Sequence, residues 1–497
     1  MYDIVMFTGV REFEYYSSPL TIGAFKCAHE LRLNGFSCLV VNHYHEFSIT
    51  EILRLLDTAV GADTLFIGVS STFMQDSART SQDMDQKNKK KTHHCRWHND
   101  YLFEQAIKHH VSKINPSTKM VIGGNLINKE FKSKVFDYAV VGYAETSIVD
   151  LAKFLKGTID KLPHSYRNIY GGTIVDGSAS NANYLLKEST MEWLPEDVVT
   201  HTILPIEIGR GCIFKCAFCS YPMNGQKTID YNKNVDQIIT ELQFNYDNYG
   251  IFKYNIVDDT FNDSIEKLEA LAAKISKLSF QPEFWCYARL DLICTHPESL
   301  TLLYKIGIRS MFFGIETLDR KSGQAIGKGY SRAKQIAMIA HIRKTYPDID
   351  LHGSFIIGTP YESIESINLT IQQLLTNEIQ LTTWYVQGLS IDKNSKNGDK
   401  ISANYEDYGY TIDTDSIDEE HNNIHNRSIY WKNEHLTYKI AKDIADKANR
   451  SVQQDLNKIW RYSFDRGASG SAPRQEFVAT YKQRLSEIIA DKKHSLQ

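Results

Sequence analysis

The chain has 497 residues, of which 42% are hydrophobic and 23% charged, and its formal net charge is −4. That describes a globular protein of about two to four domains, and the acidic balance argues against a non-specific nucleic-acid binder. No apolar run reaches the roughly 20 residues of a bilayer span, and eight cysteines in so long a chain are no disulfide framework. Cys27, Cys38, Cys95, Cys286 and Cys294 are scattered and read as buried free thiols. The opening MYDIVMFTGV reads as a buried strand rather than a secretory leader, so a reducing, cytoplasmic setting is expected.

The first third alternates strands and helices. YDIVMF, SCLVVN, TLFIGVSS, KMVIGG and FDYAVVG are short apolar strands. Between them TIGAFKCAHELRLNGF, ITEILRLLDTAV, residues 101–113 and ETSIVDLAKFLKG carry helical spacing. Continuous apolar strands in βα units predict a doubly wound parallel sheet, α/β in class, with ligands beyond the carboxyl ends of its strands. Those ends carry Thr8, Gly9, Ser70, Thr72, Gly123, Gly124, Gly142 and Glu145. Residues 76–100, with Lys87–Lys91, read as a solvated loop; His93, His94, Cys95 and His98 in it read as surface residues before they read as metal ligands. Residues 156–200 read as a connection with a hairpin around GGTIVDG.

PLTIGAFKCAHELRLNGF, IGVSSTF, VIGGN and VVGYAETSI resemble the cobalamin-binding-type, Rossmann-like domain found in larger radical S-adenosylmethionine (SAM) enzymes. The resemblance implies a domain over 1–155 and cofactor contacts at Ser70, Thr72, Gly123, Gly124 and Glu145. The DxHxxG signature supplying a cobalt-ligating histidine is absent, and His43 and His45 lie after the second strand. Cobalamin-bound and cobalamin-free outcomes both stay open.

From 203 onward the alternation resumes. ILPIEIG, KYNIVDDTFN, PEFWCYARLDLI, IRSMFFGIET, DLHGSFIIGTP and LTTWYVQGLS are six strands with helices between, a partial parallel barrel. The first ends in GRGCIFKCAFCSYP, where Cys212, Cys216 and Cys219 share eight residues. Thiolates so close can reach one inorganic centre, and three of them on a four-iron cluster leave an open coordination position. Structural zinc wants a fourth ligand, and no cysteine or histidine follows before Cys286.

CxxxCxxC, VDDTF, ARLD, FGIET and FIIGTP, in that order over about 200–392, resemble the radical SAM core; VDDTF stands where simpler members have GGEP. The resemblance implies a 4Fe–4S cluster on the three cysteines and SAM cleaved to a 5′-deoxyadenosyl radical that takes hydrogen from an unactivated carbon. It also implies a flavodoxin- or ferredoxin-type reductant. For SAM, Arg289 is a candidate for the carboxylate and Glu316, Asp258 and Asp259 for amine or hydroxyls. Phe218 and the backbone of Ile356–Gly358 are candidates for adenine, and Tyr287, Tyr304 and Tyr385 for facing the radical. Each charged residue could instead close an internal ion pair.

Residues 393–497 turn polar and then helical, and a mainly helical cap is expected there. With cobalamin the outcome is C-methylation; without it, rearrangement, oxidation or ring formation. Methylthiolation is disfavoured, because the first domain lacks three clustered cysteines and no RNA-binding barrel is legible. A non-catalytic iron–sulfur role is the remaining alternative. The substrate is not legible in the chain.

Overall fold

The computed structural model describes residues 1–9, 20–70, 100–124, 127, 131, 133–168, 171–180, 185–199, 203–221, 223–392, 399–414, 429–451 and 471–494. Two compact units emerge: Met1–Leu185 with Met191–Pro205 and Ser463–Gln497, and Leu186–Thr190 with Ile206–Tyr462. No described helix is long and apolar enough to cross a membrane. Thr72 and the histidines of 93–98 lie outside the described residues.

The first unit holds a seven-stranded sheet of β1 (Ile4–Phe7), β2 (Cys38–Val41), β3 (Phe66–Ser70), β4 (Lys119–Gly123), β5 (Tyr138–Val141), β6 (Ser165–Arg167) and β7 (Thr173–Asp176). Their spatial order is β2-β1-β3-β4-β5-β7-β6, parallel throughout except for β6. Every residue of β1 and β2 is buried, as expected of strands covered on both faces. The 2-1-3-4-5 order reverses between β1 and β3, the switch point at whose carboxyl ends open α/β sheets bind their ligands. Thr8, whose hydroxyl meets that of Thr21 at 2.8 Å, and Ser70 stand there.

The unit runs past residue 155, because β6 and β7 from the stretch read as a connection extend the sheet. Only two apolar residues, Ile174 and Val175, flanked by glycines, mark β7 in the sequence. The helix Ser471–His494 also belongs to this unit. Its buried Tyr481 hydroxyl accepts from the Asn42 amide at 3.0 Å, and Lys482 reaches Glu51 at 2.9 Å. Glu51 and Ser48 form the capping box of helix Ile49–Ala59.

A second, six-stranded sheet takes β8 (Ile203–Ile206), in which the division between the units falls, and β9 (Lys253–Ile256), β10 (Glu283–Ala288), β11 (Ile308–Glu316), β12 (Asp350–Ile357) and β13 (Thr383–Gly388) of the second unit, in sequential order. Helices return the chain between strands, and left-handed glycines at Gly250 (φ 65°) and Gly307 (φ 106°) end two of them. Helix Tyr438–Ser451 covers the edge strand β13: Asn449 donates to the Val386 carbonyl at 2.8 Å and accepts from its amide at 3.1 Å. A side-chain amide thus stands in for a further strand and blunts the edge.

In the first unit Arg32 grips Asp197 through two nitrogens at 2.5 and 3.0 Å and the Cys38 carbonyl at 2.7 Å. The Asp197 side chain is fully buried. Asp197→Ala would leave the guanidinium buried without its counter-charge, a loss of about 3–5 kcal/mol. Urea denaturation should register that loss, with Asp197→Asn retaining part of the stability.

Candidate active site at the carboxyl ends of the second sheet

The cysteine loop is held by its backbone. The Cys212 amide donates to the Met223 carbonyl at 3.1 Å, and the Cys212 carbonyl accepts from Gln226 at 3.0 Å. The Ala217 amide reaches the Ile326 carbonyl, while its own carbonyl accepts from Ile401, both at 3.0 Å. Gly211, at φ 155°, is required because a Cβ there would stand 2.9 Å from the Tyr231 ring. Tyr231 is itself anchored by Asp263, which also pairs with Lys267.

The sulfurs remain open as donors. All three cysteines are free thiols, Cys212 buried and Cys216 and Cys219 partly so. Burial pushes the Cys212 thiol up, opposed by its contact with the Thr260 hydroxyl at 3.5 Å. Among the described residues no three Cys, His, Asp or Glu groups stand at the spacing of a single metal ion.

The other expected residues fall in different places. Asp258 is buried beneath the loop, accepting from the Ile208 amide at 2.9 Å. Burial pushes its carboxyl up to about 7, against Lys267 and the amides of Gly209 and Ile208. Asp259 is exposed and hydrogen-bonded to Tyr221. Arg289 caps β10 rather than continuing the strand: Leu290–Thr295 is helical, and the guanidinium fork is filled by Asp291. It does not present a free fork to a carboxylate.

Glu316 ends β11 at φ 65°, next to a register shift between Gly314 and Glu316. A non-glycine residue in that region is uncommon and accumulates where function demands strain. Its carboxylate pairs with Lys328 at 3.1 Å; Lys328 also donates to the Gly314 carbonyl and lies 5.7 Å from the centre of the partly buried Phe218 ring. Lys328, in AIGKGY, was not singled out from the sequence, and only its flanking glycines hinted at it.

Ile356 lies in β12, paired with Gln387. The backbone of Gly358 is already engaged, its amide with Glu362 at 3.1 Å and its carbonyl with the Tyr410 hydroxyl at 2.7 Å. Gly358 adopts φ 84°, and a Cβ there would collide with the buried Trp431 ring. Adenine would find shape there but no hydrogen-bonding group on Gly358. Tyr287 and Tyr385 are exposed, and Tyr287 packs with Trp285 and Phe312 at 4.7 and 5.3 Å. Tyr304 stacks on Tyr346 at 4.7 Å and bonds Asp348, away from these rings. In the first unit Ser70 and Gly123 end β3 and β4, Gly124 follows at φ 115°, and Glu145 is buried at the start of helix Glu145–Leu155.

Residues 206–374 match the Radical SAM superfamily. The chain therefore carries a radical SAM domain, and the cysteine loop, β9–β12 and their intervening helices lie within it. An uncharacterised methyltransferase of Pyrococcus horikoshii is 30% identical over 166 residues, covering 33% of this chain and 34% of that protein. The bacteriochlorophyllide d C-12(1)-methyltransferase of Chlorobaculum tepidum is 24% identical over 182 residues, 36% of this chain and 38% of its own length. These matches span little more than a third of either relative. The fold resembles that of the radical SAM methyltransferase TsrM from Kitasatospora setae, solved with cobalamin and a 4Fe–4S cluster bound; TM-score is 0.63 at 12% identity, covering 100% of both chains.

Two expectations follow from the charges. Lys328→Met would leave the buried Glu316 carboxylate unpaired and should lower stability by about 3 kcal/mol in chemical denaturation. Burial pushes Glu362 up to about 7 from 4.5, against bonds from Thr317, Thr359 and Gly358. Because the folded value is the higher one, the neutral acid favours folding at low pH, and that contribution is lost as pH rises from 4.5 through about 7. Melting temperatures should therefore shift in favour of Glu362→Gln, relative to the unsubstituted protein, between about pH 5 and about pH 8. A constant difference over that range would contradict the assignment.

Proposed function

We propose that this protein is a radical SAM enzyme that methylates an unactivated carbon with the help of cobalamin. The observation that carries the reading is the cysteine loop at the end of β8, whose backbone is pinned on both sides while its three sulfurs remain available. When bound, the cluster and SAM would supply a 5′-deoxyadenosyl radical and cobalamin a methyl group. The chain's own residues bind and orient. Cys212, Cys216 and Cys219 would ligate the cluster, while Glu316 and Asp259 offer acceptors at the strand ends. In the first unit the β1/β3 crevice, with Thr8 and Ser70, and the neighbouring Gly123, Gly124 and Glu145 are the proposed cobalamin contacts.

The whole-length fold likeness to a cobalamin-bound methyltransferase and the methyltransferase relatives support methylation over other radical outcomes. A flavodoxin- or ferredoxin-type reductant and a reducing cytoplasm belong to the same proposal. The second reading, radical rearrangement, oxidation or cyclisation without cobalamin, draws on one observation. His43 is buried against Asn42 at 3.0 Å and the Tyr481 ring, a packed side chain rather than a cobalt ligand.

Anaerobic reconstitution with iron and sulfide, with and without hydroxocobalamin, tests both. The expected result is about four irons per chain, abolished in Cys212→Ala, Cys216→Ala and Cys219→Ala, with cobalamin retained through gel filtration. Dithionite and SAM should then yield 5′-deoxyadenosine and S-adenosylhomocysteine. Iron-loaded protein that makes 5′-deoxyadenosine but retains no cobalamin would sink the methylation reading in favour of the second.

A further inference from the structure

Arg289 is 5% exposed, and its position is fixed from every side. Asn262 bonds its amide at 2.8 Å and its carbonyl at 3.0 Å. Nε and Nη2 reach the Asp291 carboxylate at 3.0 and 2.6 Å, and Nη2 also donates to the Gly327 carbonyl at 3.0 Å. The guanidinium plane lies 4.0 Å from the centre of the Phe214 ring, inside the cysteine loop. The remaining nitrogen, Nη1, donates to Cys216 Sγ at 3.1 Å.

We propose that Arg289 is a positioning residue for the iron–sulfur centre, holding the Cys216 sulfur and raising the reduction potential of the cluster it ligates. The inference rests on the cluster reading above. Reduction adds negative charge to the cluster and its thiolates, and an N–H···S bond from a cation stabilises the reduced form more than the oxidised one. Hydrogen bonds to the sulfurs are among the recognised determinants of such potentials. Arginine suits the task because its rigid fork can bind Asp291 with one edge while another N–H points at sulfur; a lysine cannot do both. Phe214 packs on the guanidinium face and ties its orientation to the loop that carries the ligand.

The test is an EPR-monitored redox titration of the reconstituted full-length protein. Arg289→Lys and Arg289→Met, at unchanged iron content, should show midpoints more negative than the unsubstituted protein, with Arg289→Met the lower. Asp291→Asn removes an opposing charge yet leaves Nη1 on the sulfur, so its midpoint should rise or stay. Midpoints unchanged in both arginine variants would overturn the inference, as would a fall in Asp291→Asn equal to theirs. An arginine variant that loses iron while its apo-protein melts normally supports positioning; one that loses iron with a lowered melting temperature overturns it in favour of a folding role. Failure of the unsubstituted protein to hold iron would instead overturn the cluster reading itself.

Discussion

A sulfur that is to donate to iron must be held in place by something other than its own lone pairs. Here main-chain hydrogen bonds do that holding. Ala217 directly follows Cys216, two residues before Cys219, and is bonded on one side to Ile326 and on the other to Ile401. The turn is therefore fixed by the segment after β11 and by the short helix Lys400–Ala403. Asp258 performs the same service at the loop's entry by accepting from Ile208. A full charge there would be costly to bury; its raised pKa reflects that cost, which Lys267 reduces. Sheet, loop and C-terminal segment of the second unit thus converge on eleven residues, Gly209 to Cys219.

The mouth of this sheet is built from paired charges. Arg289 with Asp291 and Lys328 with Glu316 are nearly buried, and each uses its remaining donors on the site: a cysteine sulfur, or a strand-end carbonyl beside a ring of the loop. A buried ion pair is weak evidence for stability, since desolvation offsets most of its attraction. Its retention is better explained by geometry. Glu316 occupies a left-handed backbone position next to a register shift, and Gly314 leaves room for the pair because a Cβ there would meet both charged ends. The strain, the glycine and the lysine are one arrangement.

What could be read from the chain divides along physical lines. Both parallel sheets, their strand order of appearance and the cysteine loop were legible, because hydrophobic periodicity and CxxxCxxC spacing are local signals. Partners distant in sequence were not. Arg289 looked like a free fork because a continuing strand would have carried Asp291 farther along the same face; the chain turns helical at Leu290 and folds the carboxylate back onto the guanidinium. The polar segment before Trp431 concealed that this ring would fill the space over Gly358, and the hairpin expected around GGTIVDG forms as β6–β7 but gave no local sign that β7 would pair with β5. The C-terminal helix carried an amphipathic pattern but nothing that assigned it to the first unit's core, where Tyr481 is buried.

The first unit shows why a sheet order can be worth more than a motif. Its chain lacks the histidine signature, and His43 is packed between Asn42 and Tyr481. Yet the reversal between β1 and β3 opens a crevice regardless of which side chains line it, because the helices after the two strands leave toward opposite faces. Small groups at that end, Thr8, Gly9 and Ser70, let a ligand approach the backbone closely. Loss of a metal-ligating side chain would remove one bond to a cofactor while leaving the shape that admits it. Under the proposed function, a corrinoid would depend on this crevice more than on a ligating histidine, and the crevice is set by topology.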